Sequence, residues 1–425
     1  MKKQPLRNSL AICLRACALA LVVALGAGCG APGVGTPSAS GQQVKLIYAF
    51  PNDATSSTAA AALIKAYTET RPDVAIAPLP LPAQDYAQQL LTRVDSDLPD
   101  MFVNVDAQAP TLIKRGAVLD IQPLLADALK LKADDFQPGA LAPWQRGSSL
   151  YALPSDLTPV VMFYNRDLFA AGGFAEPTAG WTWDNWLADA QKLTVSSGGQ
   201  TSRYGTAVGT WASMVWGNGG ELVSPDGKRI LLDSPEAAAG VQFAADLINV
   251  HHVAPLPQVA GGPDPVQLFK EQKVVMLPAS SSLVGGLLDA KLPFKWGIVP
   301  LPAGKTPVSP LSVTGLAISA KSQNASAALD FAGWAIGPNG QALVAGFQPF
   351  AAPALRTIPA RPLDIFGAPA IGQSLAFGRT QPSLEQWPQV VKVVNETLVP
   401  VWQGKATAAA AYAAMAPQAN ALLAG

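Results

Sequence analysis

The sequence predicts an α/β protein with two lobes, on the strength of three observations. Segments rich in β-forming residues alternate with helical segments, which is typical of parallel sheets covered by helices. About 380 residues follow the N-terminal segment, more than one hydrophobic core usually accommodates. Apolar residues make up 49% of the chain, as in a well-packed soluble protein. We therefore expect two lobes, each built from strands and helices.

The N-terminal segment has the pattern of a bacterial lipoprotein signal peptide over residues 1–28. Basic residues precede an apolar stretch from Ala16 to Ala27, and small residues lead to Cys29, whose thiol receives diacylglycerol in such proteins. We expect residues 29–43 to form a flexible tether that holds the protein on the outer face of the cell membrane through lipid alone. An ordinary secretory signal with an incidental cysteine is the alternative, and it too places the protein outside the cytoplasm.

Charge and composition exclude several classes of function. Removing the four basic residues of the leader from 29 leaves 25 basic against 29 acidic side chains, and no basic cluster follows that could neutralise phosphates. Cys29 is the only cysteine beyond residue 28, so no disulfide and no cysteine-ligated metal are expected. His251 and His252 are adjacent, and adjacent side chains on a strand point to opposite faces. The sequence thus predicts no nucleic-acid partner, no metal and no other cofactor.

The first elements after the tether predict a parallel sheet. Strands are expected at Val44–Phe50, Val74–Leu79 and Asp100–Val105. Helices are expected at Ser57–Thr70 and Tyr86–Val94. Because ligands of parallel sheets bind beyond the carboxyl ends of the strands, the loops after the first and third strands are candidate binding loops.

The remaining chain predicts two crossings between the lobes. In the first, a strand at Leu150–Pro154 is halted by its proline and turned by Ser155 and Asp156, and the second lies at Trp296–Pro302. Thr182 is predicted to cap a helix, with Asn185 three residues later. Other predicted elements are the helices Pro110–Gly116, Ile121–Leu129, Asn165–Ala171, Ala237–Asn249, Ala325–Ile336 and Pro388–Val401, and the strands Val160–Tyr164 and Thr314–Ile318.

A long segment in the middle of the chain carries a family resemblance. Residues 150–169 read LYALPSDLTPVVMFYNRDLF and are followed by Trp181–Asp184. Together they resemble the "LYGLP…YYNKDLFKKAG…P.TWDE" stretch of the extracellular solute-binding proteins of ABC importers, in the sugar-binding cluster of the maltose-binding type. Gln272 departs from that family's usual glycine, and Ser281-Ser282 stand where it often has Gly-x-Trp. Further segments in the family's order are Leu98–Phe102, Gly116–Asp120, Phe269–Met276, Gly297–Pro302 and Leu329–Trp334.

The resemblance implies a two-lobed periplasmic-binding-protein fold of type II, each lobe a mainly parallel sheet flanked by helices, joined by hinge crossings. We expect lobe 1 to contain residues 44–153 and 298–338, and lobe 2 to contain residues 154–297 and 339–425. The resemblance also implies that a monomer closes over a sugar or oligosaccharide and delivers it to the transmembrane subunits of an ABC permease. It implies no cofactor.

Candidate ligand-binding residues follow from the chemistry of sugars, whose rings stack on aromatic faces and whose hydroxyls exchange hydrogen bonds with polar side chains. Competing roles are open: Asp106 as a helix cap, Asn52 and Asp53 as turn formers, and Tyr86 as a core residue. The candidates are Asn52, Asp53, Tyr86, Asp106, Asp156, Trp211, Trp216, Ser281, Ser282 and Trp387.

Other functions stay open at this point. A lipid-anchored glycan hydrolase needs two carboxylates that flank one bond, and Asp106 and Asp156 are the candidates for such a pair. The sequence offers no nucleophile elbow, no pair of metal-binding histidines and no phosphate-binding glycine loop, so we predict a binding protein rather than an enzyme. A non-sugar solute and a role in signalling alone are further alternatives.

Overall fold

Strands and helices alternate along the chain, as the sequence predicts. The computed structural model describes residues 43–348, 350–359 and 363–424, apart from the side chains of residues 105 and 106. The predicted signal peptide, Cys29 and all of the tether but its last residue lie outside these ranges. The strands are β1 Val44–Asn52, β2 Val74–Pro82, β3 Met101–Val105, β4 Gln145–Arg146, β5 Ser149–Leu150, β6 Leu153–Asn165, β7 Val195–Ser197, β8 Gln200–Thr206, β9 Val274–Ser280, β10 Trp296–Val299, β11 Ser309–Ile318, β12 Ala352–Pro353 and β13 Gly378–Arg379. The helices are α1 Ala54–Thr70, α2 Tyr86–Arg93, α3 Ala109–Lys114, α4 Gln122–Asp127, α5 Arg166–Ala171, α6 Trp183–Leu193, α7 Trp211–Gly217, α8 Pro235–Asn249, α9 Pro265–Lys270, α10 Leu283–Ala290, α11 Ala325–Ile336, α12 Pro338–Phe347, α13 Ala370–Leu375, α14 Trp387–Trp402 and α15 Ala408–Ala424.

The predicted parallel pairing of the first strands is confirmed. β1 pairs in parallel with β2 along nine residues of each strand, from Val44 beside Val74 to Asn52 beside Pro82, and it pairs in parallel with β3 on its other side. The carboxyl ends of these strands therefore lie at one edge of the sheet, where the sequence places its first candidate loops.

Several predicted helix starts are also confirmed. Thr182 and Asn185 form a capping box at the start of α6, and Ser234 caps α8 by accepting from the Ala237 amide. α1 begins earlier than predicted, at Ala54, because the Asp53 side chain caps it. Local sequence is sufficient for these starts because a cap needs only neighbouring residues.

One long strand, β6, replaces the predicted stop at Pro154. The prediction that Pro154 halts the strand and that Ser155 and Asp156 turn it is wrong, because β6 runs on for 13 residues. The register between β6 and β11 shifts at this point: Thr314 is opposite Asp156, and Gly315 is opposite Pro154. Ser155 is therefore the extra residue of a β-bulge, a position at which a sheet tolerates proline.

β11 links two parts of the sheet, and the crossing expected at Trp296–Pro302 stays a prediction. β10 pairs with the Met162–Asn165 end of β6. β11 pairs antiparallel with both β3 and β6, so it joins the part of the sheet built by β1–β3 to the long strand. The predicted strand Thr314–Ile318 is the second half of β11.

The sheet follows the order β2-β1-β3-β11-β6-β9-β8-β7. Pairing is parallel between β1 and its neighbours and between β8 and β9, and antiparallel where β3, β11, β6 and β9 meet. The helices between these strands complete a mixed α/β fold, which confirms the predicted fold class.

Two hydrophobic clusters lie on either side of the central strands. One packs α1 and α11 against β1–β3, and the other joins α6, α7, α8, α14 and α15. β6 serves both: Phe163 belongs to the first cluster, whereas Met162 and Tyr164 belong to the second, because successive residues of a strand face opposite sides. The exact lobe boundaries stay a prediction. Within the described ranges, no helix combines the length and apolar character that crossing a membrane requires.

Candidate functional site

A cavity of about 480 Å³ lies beside the central strands β6 and β11 and forms the candidate ligand cleft. Part of its wall follows β3, at the carboxyl edge of the parallel strands. Other parts come from the start of α7, the end of β9 and the loop before α14, so segments of both hydrophobic clusters meet there. Its polar and aromatic lining includes Thr158, Thr210, Ser280, Ser312, Gln381, Ser383 and Trp387.

Two tryptophans pack together beside this cavity; Trp387 lines it, whereas Trp211 lies outside its lining. The rings of Trp211 and Trp387 lie 6.3 Å apart between centroids and are inclined by 51°. The indole Nε1 of Trp387 donates to Gln381 Oε1 at 2.6 Å, and that of Trp211 donates to Asn395 Oδ1 at 3.1 Å. Because both N–H groups already have protein acceptors, the rings are held in place and Trp387 presents apolar surface to the cavity.

The lining is uncharged within the described residues. Hydroxyl and amide groups alternate with proline, valine and leucine, and no side chain of aspartate, glutamate, lysine or arginine is among those that line the cavity there. Such a wall has no charge to compensate an ionic ligand, whereas it can exchange hydrogen bonds with neutral hydroxyls. The described histidine, aspartate and glutamate residues also form no group of three that could hold a metal ion.

The loop that precedes α14 is anchored to the N-terminal part of the chain. Arg146 Nη2 donates to the carbonyl and to the hydroxyl of Ser383, both at 2.8 Å, and the Ser383 hydroxyl donates to the Pro143 carbonyl at 2.7 Å. Lys114, at the end of α3, pairs with Glu385 at 2.5 Å. These contacts hold Ser383, which lines the cavity, against residues that precede the first crossing.

Asp156 lies in a different cavity, of about 210 Å³, between α1, α12 and the strands β1, β6 and β11. Its side chain is 9% exposed and accepts from the Ser155 hydroxyl at 2.7 Å. Burial raises the pKa of Asp156 to about 6, and the hydrogen bonds from Ser155 and Thr314 act in the opposite direction. Asp156 and the residues of the 480 Å³ cavity therefore face different spaces.

The other acidic and amide candidates lie around the end of β1 and β3. Asn52 and Asp53 are exposed, and Asp53 accepts from the amide and the hydroxyl of Ser56 at 2.8 and 2.7 Å as the cap of α1. Asp106 begins a 3₁₀ turn, and its side chain lies outside the described residues. Ala107, the next residue, lines the 480 Å³ cavity.

Four further candidates lie apart from the lining of the 480 Å³ cavity. The hydroxyl of Tyr86 is directed into the core and donates to the Val103 carbonyl at 2.6 Å. Ser281 is buried and donates to the Phe350 carbonyl at 2.9 Å, whereas Ser282 is exposed. Trp216 is buried beneath the guanidinium of Arg379, whose carbon lies 4.9 Å from its ring centroid. Of all the candidates, the structure brings Trp211 and Trp387 together.

Sequence reasoning missed most of the polar lining. Thr158 is two residues from Asp156, Ser280 is next to Ser281, and Thr210 precedes Trp211, so each of these lining residues lies close in sequence to a predicted candidate. The alternation of β6 alone does not single out Thr158, since the bulge at Ser155, which forms only when β6 pairs with β11, determines which residues face the cavity. No local signal marks Ser280 or Thr210 either.

Comparisons with known proteins show the family of this chain. Residues 52–342 match the family model described as "Bacterial extracellular solute-binding protein". A curated relative from Brucella abortus (strain 2308) is 29% identical over 173 residues, which are 39% of this chain and 41% of the relative. The match therefore spans about two fifths of the relative's length.

Solved structures share the fold at low sequence identity. The sugar-binding protein MalE from Xanthomonas citri has a TM-score of 0.79 at 17% identity, covering 90% of this chain and 98% of that one. An ABC substrate-binding protein from Listeria monocytogenes, solved in complex with cycloalternan, has a TM-score of 0.77 at 22% identity, covering 89% and 98%. These likenesses establish the fold.

Proposed function

Because the chain belongs to the bacterial extracellular solute-binding proteins, we propose that it captures a sugar or oligosaccharide in the 480 Å³ cavity and delivers it to an ABC permease. The observation that carries this proposal is the described lining of that cavity, in which the Trp387 ring and uncharged hydrogen-bonding groups from distant segments converge. We further propose that the ligand leaves chemically unchanged.

The lining fits the two needs of a carbohydrate. The face of a pyranose carries C–H groups that pack on an aromatic ring, and Trp387 supplies such a surface. The hydroxyls need donors and acceptors, which Thr158, Ser280 and Gln381 can supply. Volumes of roughly 300–1,000 Å³ are usual for small-molecule sites, so 480 Å³ is adequate for a small ligand.

Proteins with a similar fold support the choice of a sugar as the ligand class. The protein from Xanthomonas citri is a sugar-binding protein, and the protein from Listeria monocytogenes was solved with cycloalternan. The described part of the wall carries no charged side chain, which favours a neutral ligand over a peptide or polyamine, since an unpaired charge in a cavity is costly. A carbohydrate is the neutral, hydroxyl-rich ligand that this wall fits best.

We propose that the protein works outside the cytoplasm, held to the membrane by lipid on Cys29. The family is extracellular, and the basic leader, apolar stretch and small residues before Cys29 support lipidation. Metabolic labelling with a fatty-acid analogue tests this step: the natural chain is expected to incorporate the label and Cys29→Ser to lose it. An equal label in both chains would contradict the proposal.

A carbohydrate panel tests the ligand. A ligand that binds only the folded state raises stability by RT ln(1 + [L]/Kd), about 2.7 kcal/mol at a hundredfold excess over Kd, so a bound sugar is expected to raise the Tm and to change tryptophan fluorescence. A panel without any shift, alongside a shift from a peptide or polyamine, would reject the sugar assignment. New reducing ends after incubation with an oligosaccharide would reject binding without turnover.

A further inference from the structure

The 210 Å³ cavity between α1, α12 and the central strands has the features of a second binding site. It shares no residue with the described lining of the 480 Å³ cavity. Apolar side chains of α1 and α12 close it on one side, while Ser155, Asp156, Thr314 and Gln341 contribute polar groups. With one charged group in its described lining, this cavity differs in chemistry from the 480 Å³ cavity, whose described lining carries none.

The charge in this cavity has no cationic partner among the described residues. Asp156 is 9% exposed, and its hydrogen bonds come from the neutral hydroxyls of Ser155 and Thr314. Neither lysine nor arginine is found in the described lining, and Tyr48 is the only other titratable side chain there. A buried carboxylate without a cation is costly, because neutral donors replace only part of its hydration.

Aromatic rings lie in the same cavity. Tyr48 and Phe50 are two residues apart on β1, so they face the same side of the sheet, and their ring centroids are 5.5 Å apart at an angle of 51°. Aromatic faces attract cations, most strongly where water is excluded. Partly exposed residues at the margin, Pro51, Ser56 and Gln348, leave a route to solvent.

We propose that this cavity binds a small organic ammonium ion, whose N–H groups donate to the Asp156 carboxylate while its charge lies against Tyr48 and Phe50. A metal ion fits less well, because hard cations require several oxygen ligands and the described lining holds one carboxylate. The ammonium ion supplies both the missing charge and the donors. The site is independent of the sugar proposed for the cleft.

Calorimetric titration with methylammonium chloride tests the proposal in the purified full chain, with sodium chloride at the same ionic strength as the reference. Saturable binding is expected for methylammonium and not for sodium. Asp156→Asn is expected to weaken it about tenfold or more, because the charge-assisted bonds are lost. Asp127→Asn, a change at an exposed carboxylate on α4, is the matched control and is expected to bind as the natural chain does.

Two further arms keep the test decisive. Tyr48→Leu is expected to weaken methylammonium binding and Tyr48→Phe to preserve most of it, since the ring and not the hydroxyl meets the charge. If Asp156→Asn fails to fold, the pH dependence of the natural chain is the test. Methylammonium binding is expected to weaken as pH drops from about 7.5 to about 5, where the carboxylate gains a proton. Equal responses to methylammonium and sodium, or binding unchanged by pH, would overturn the proposal.

Discussion

Trp387 is the residue on which the proposed sugar binding depends most directly. It lines the 480 Å³ cavity, and its Nε1–H is held by Gln381 at 2.6 Å, so the ring orientation is fixed before a ligand arrives. Preorganised aromatic surface gives binding energy at little entropic cost. The same ring packs against Trp211, which supports it from outside the cavity lining.

Trp387→Ala is expected to weaken binding of the cognate sugar by about 1–3 kcal/mol, because the stacking surface is lost. Titration of tryptophan fluorescence or calorimetry measures the change. Trp334→Ala is the control, since the Trp334 ring of α11 packs against Tyr67 of α1 and against Phe331, away from the cavity. This variant is expected to have a lower free energy of unfolding and an unchanged affinity for the sugar. Equal affinity in the natural chain and Trp387→Ala would place the ligand elsewhere.

Asp156 gives a pH dependence of stability with a defined sign. The folded protein raises the pKa of this carboxyl to about 6, above its ordinary value near 4, so the folded state holds the proton more tightly than the unfolded state. The stabilising effect of protonation is therefore present below about pH 4 and is lost as pH rises through about 6.

Asp156→Asn is expected to raise the free energy of unfolding at pH 7.5 by about 1–3 kcal/mol, because about two pKa units correspond to roughly 2.7 kcal/mol and part of this is offset by weaker hydrogen bonds. The gain should disappear below about pH 4. Urea denaturation at several pH values in sodium buffers measures both. A gain that is the same at every pH would show that ionisation of Asp156 is not its cause.

At the scale of elements, the loop before α14 connects the two sides of the cleft. Arg146 and Pro143 hold Ser383, and Lys114 pairs with Glu385 across the same gap. The lysine is 64% exposed and the glutamate 35%, so the pair is worth little in stability. Because Glu385 is two residues from Ser383, which lines the cavity, the pair helps to hold this loop in place.

Lys114→Met is therefore expected to weaken sugar binding by about two- to fivefold at low salt and by less at high salt, with little change in the free energy of unfolding. Calorimetry at two ionic strengths measures the effect. Lys65→Met removes an exposed pair with Glu69 inside α1 and is the matched control, expected to leave affinity unchanged. A salt-independent loss of affinity in Lys114→Met would point to packing and not to charge.

The strands show how far local sequence determines an element. β1, α1 and α11 were predicted within a few residues because their periodicity and caps lie within each segment. The prediction for β6 is wrong because proline usually interrupts a strand, whereas here a bulge opposite β11 accommodates Pro154. That bulge exists only when the two strands pair, so no reading of β6 alone reveals it.

At the scale of the whole molecule, β6 and β11 run between two hydrophobic clusters and border both cavities. Binding proteins with this architecture close by hinge bending of their crossing strands. Small-angle scattering is expected to show a smaller radius of gyration with the cognate sugar than without it. An unchanged radius at saturation would mean that this protein binds without closing.

The sequence by itself determined the α/β class, the order of the early strands and helices and the family resemblance, and it nominated Trp211 and Trp387 as candidate binding residues. Periodicity, caps and turn residues act over a few neighbouring positions, so one chain suffices to read them. Only the tertiary structure decided that Trp211 and Trp387 meet, that Thr158 faces the cleft, and that Asp156 belongs to a separate cavity. Those outcomes depend on the pairing of β6 with β11 and on contacts between residues more than a hundred positions apart, which no local pattern encodes.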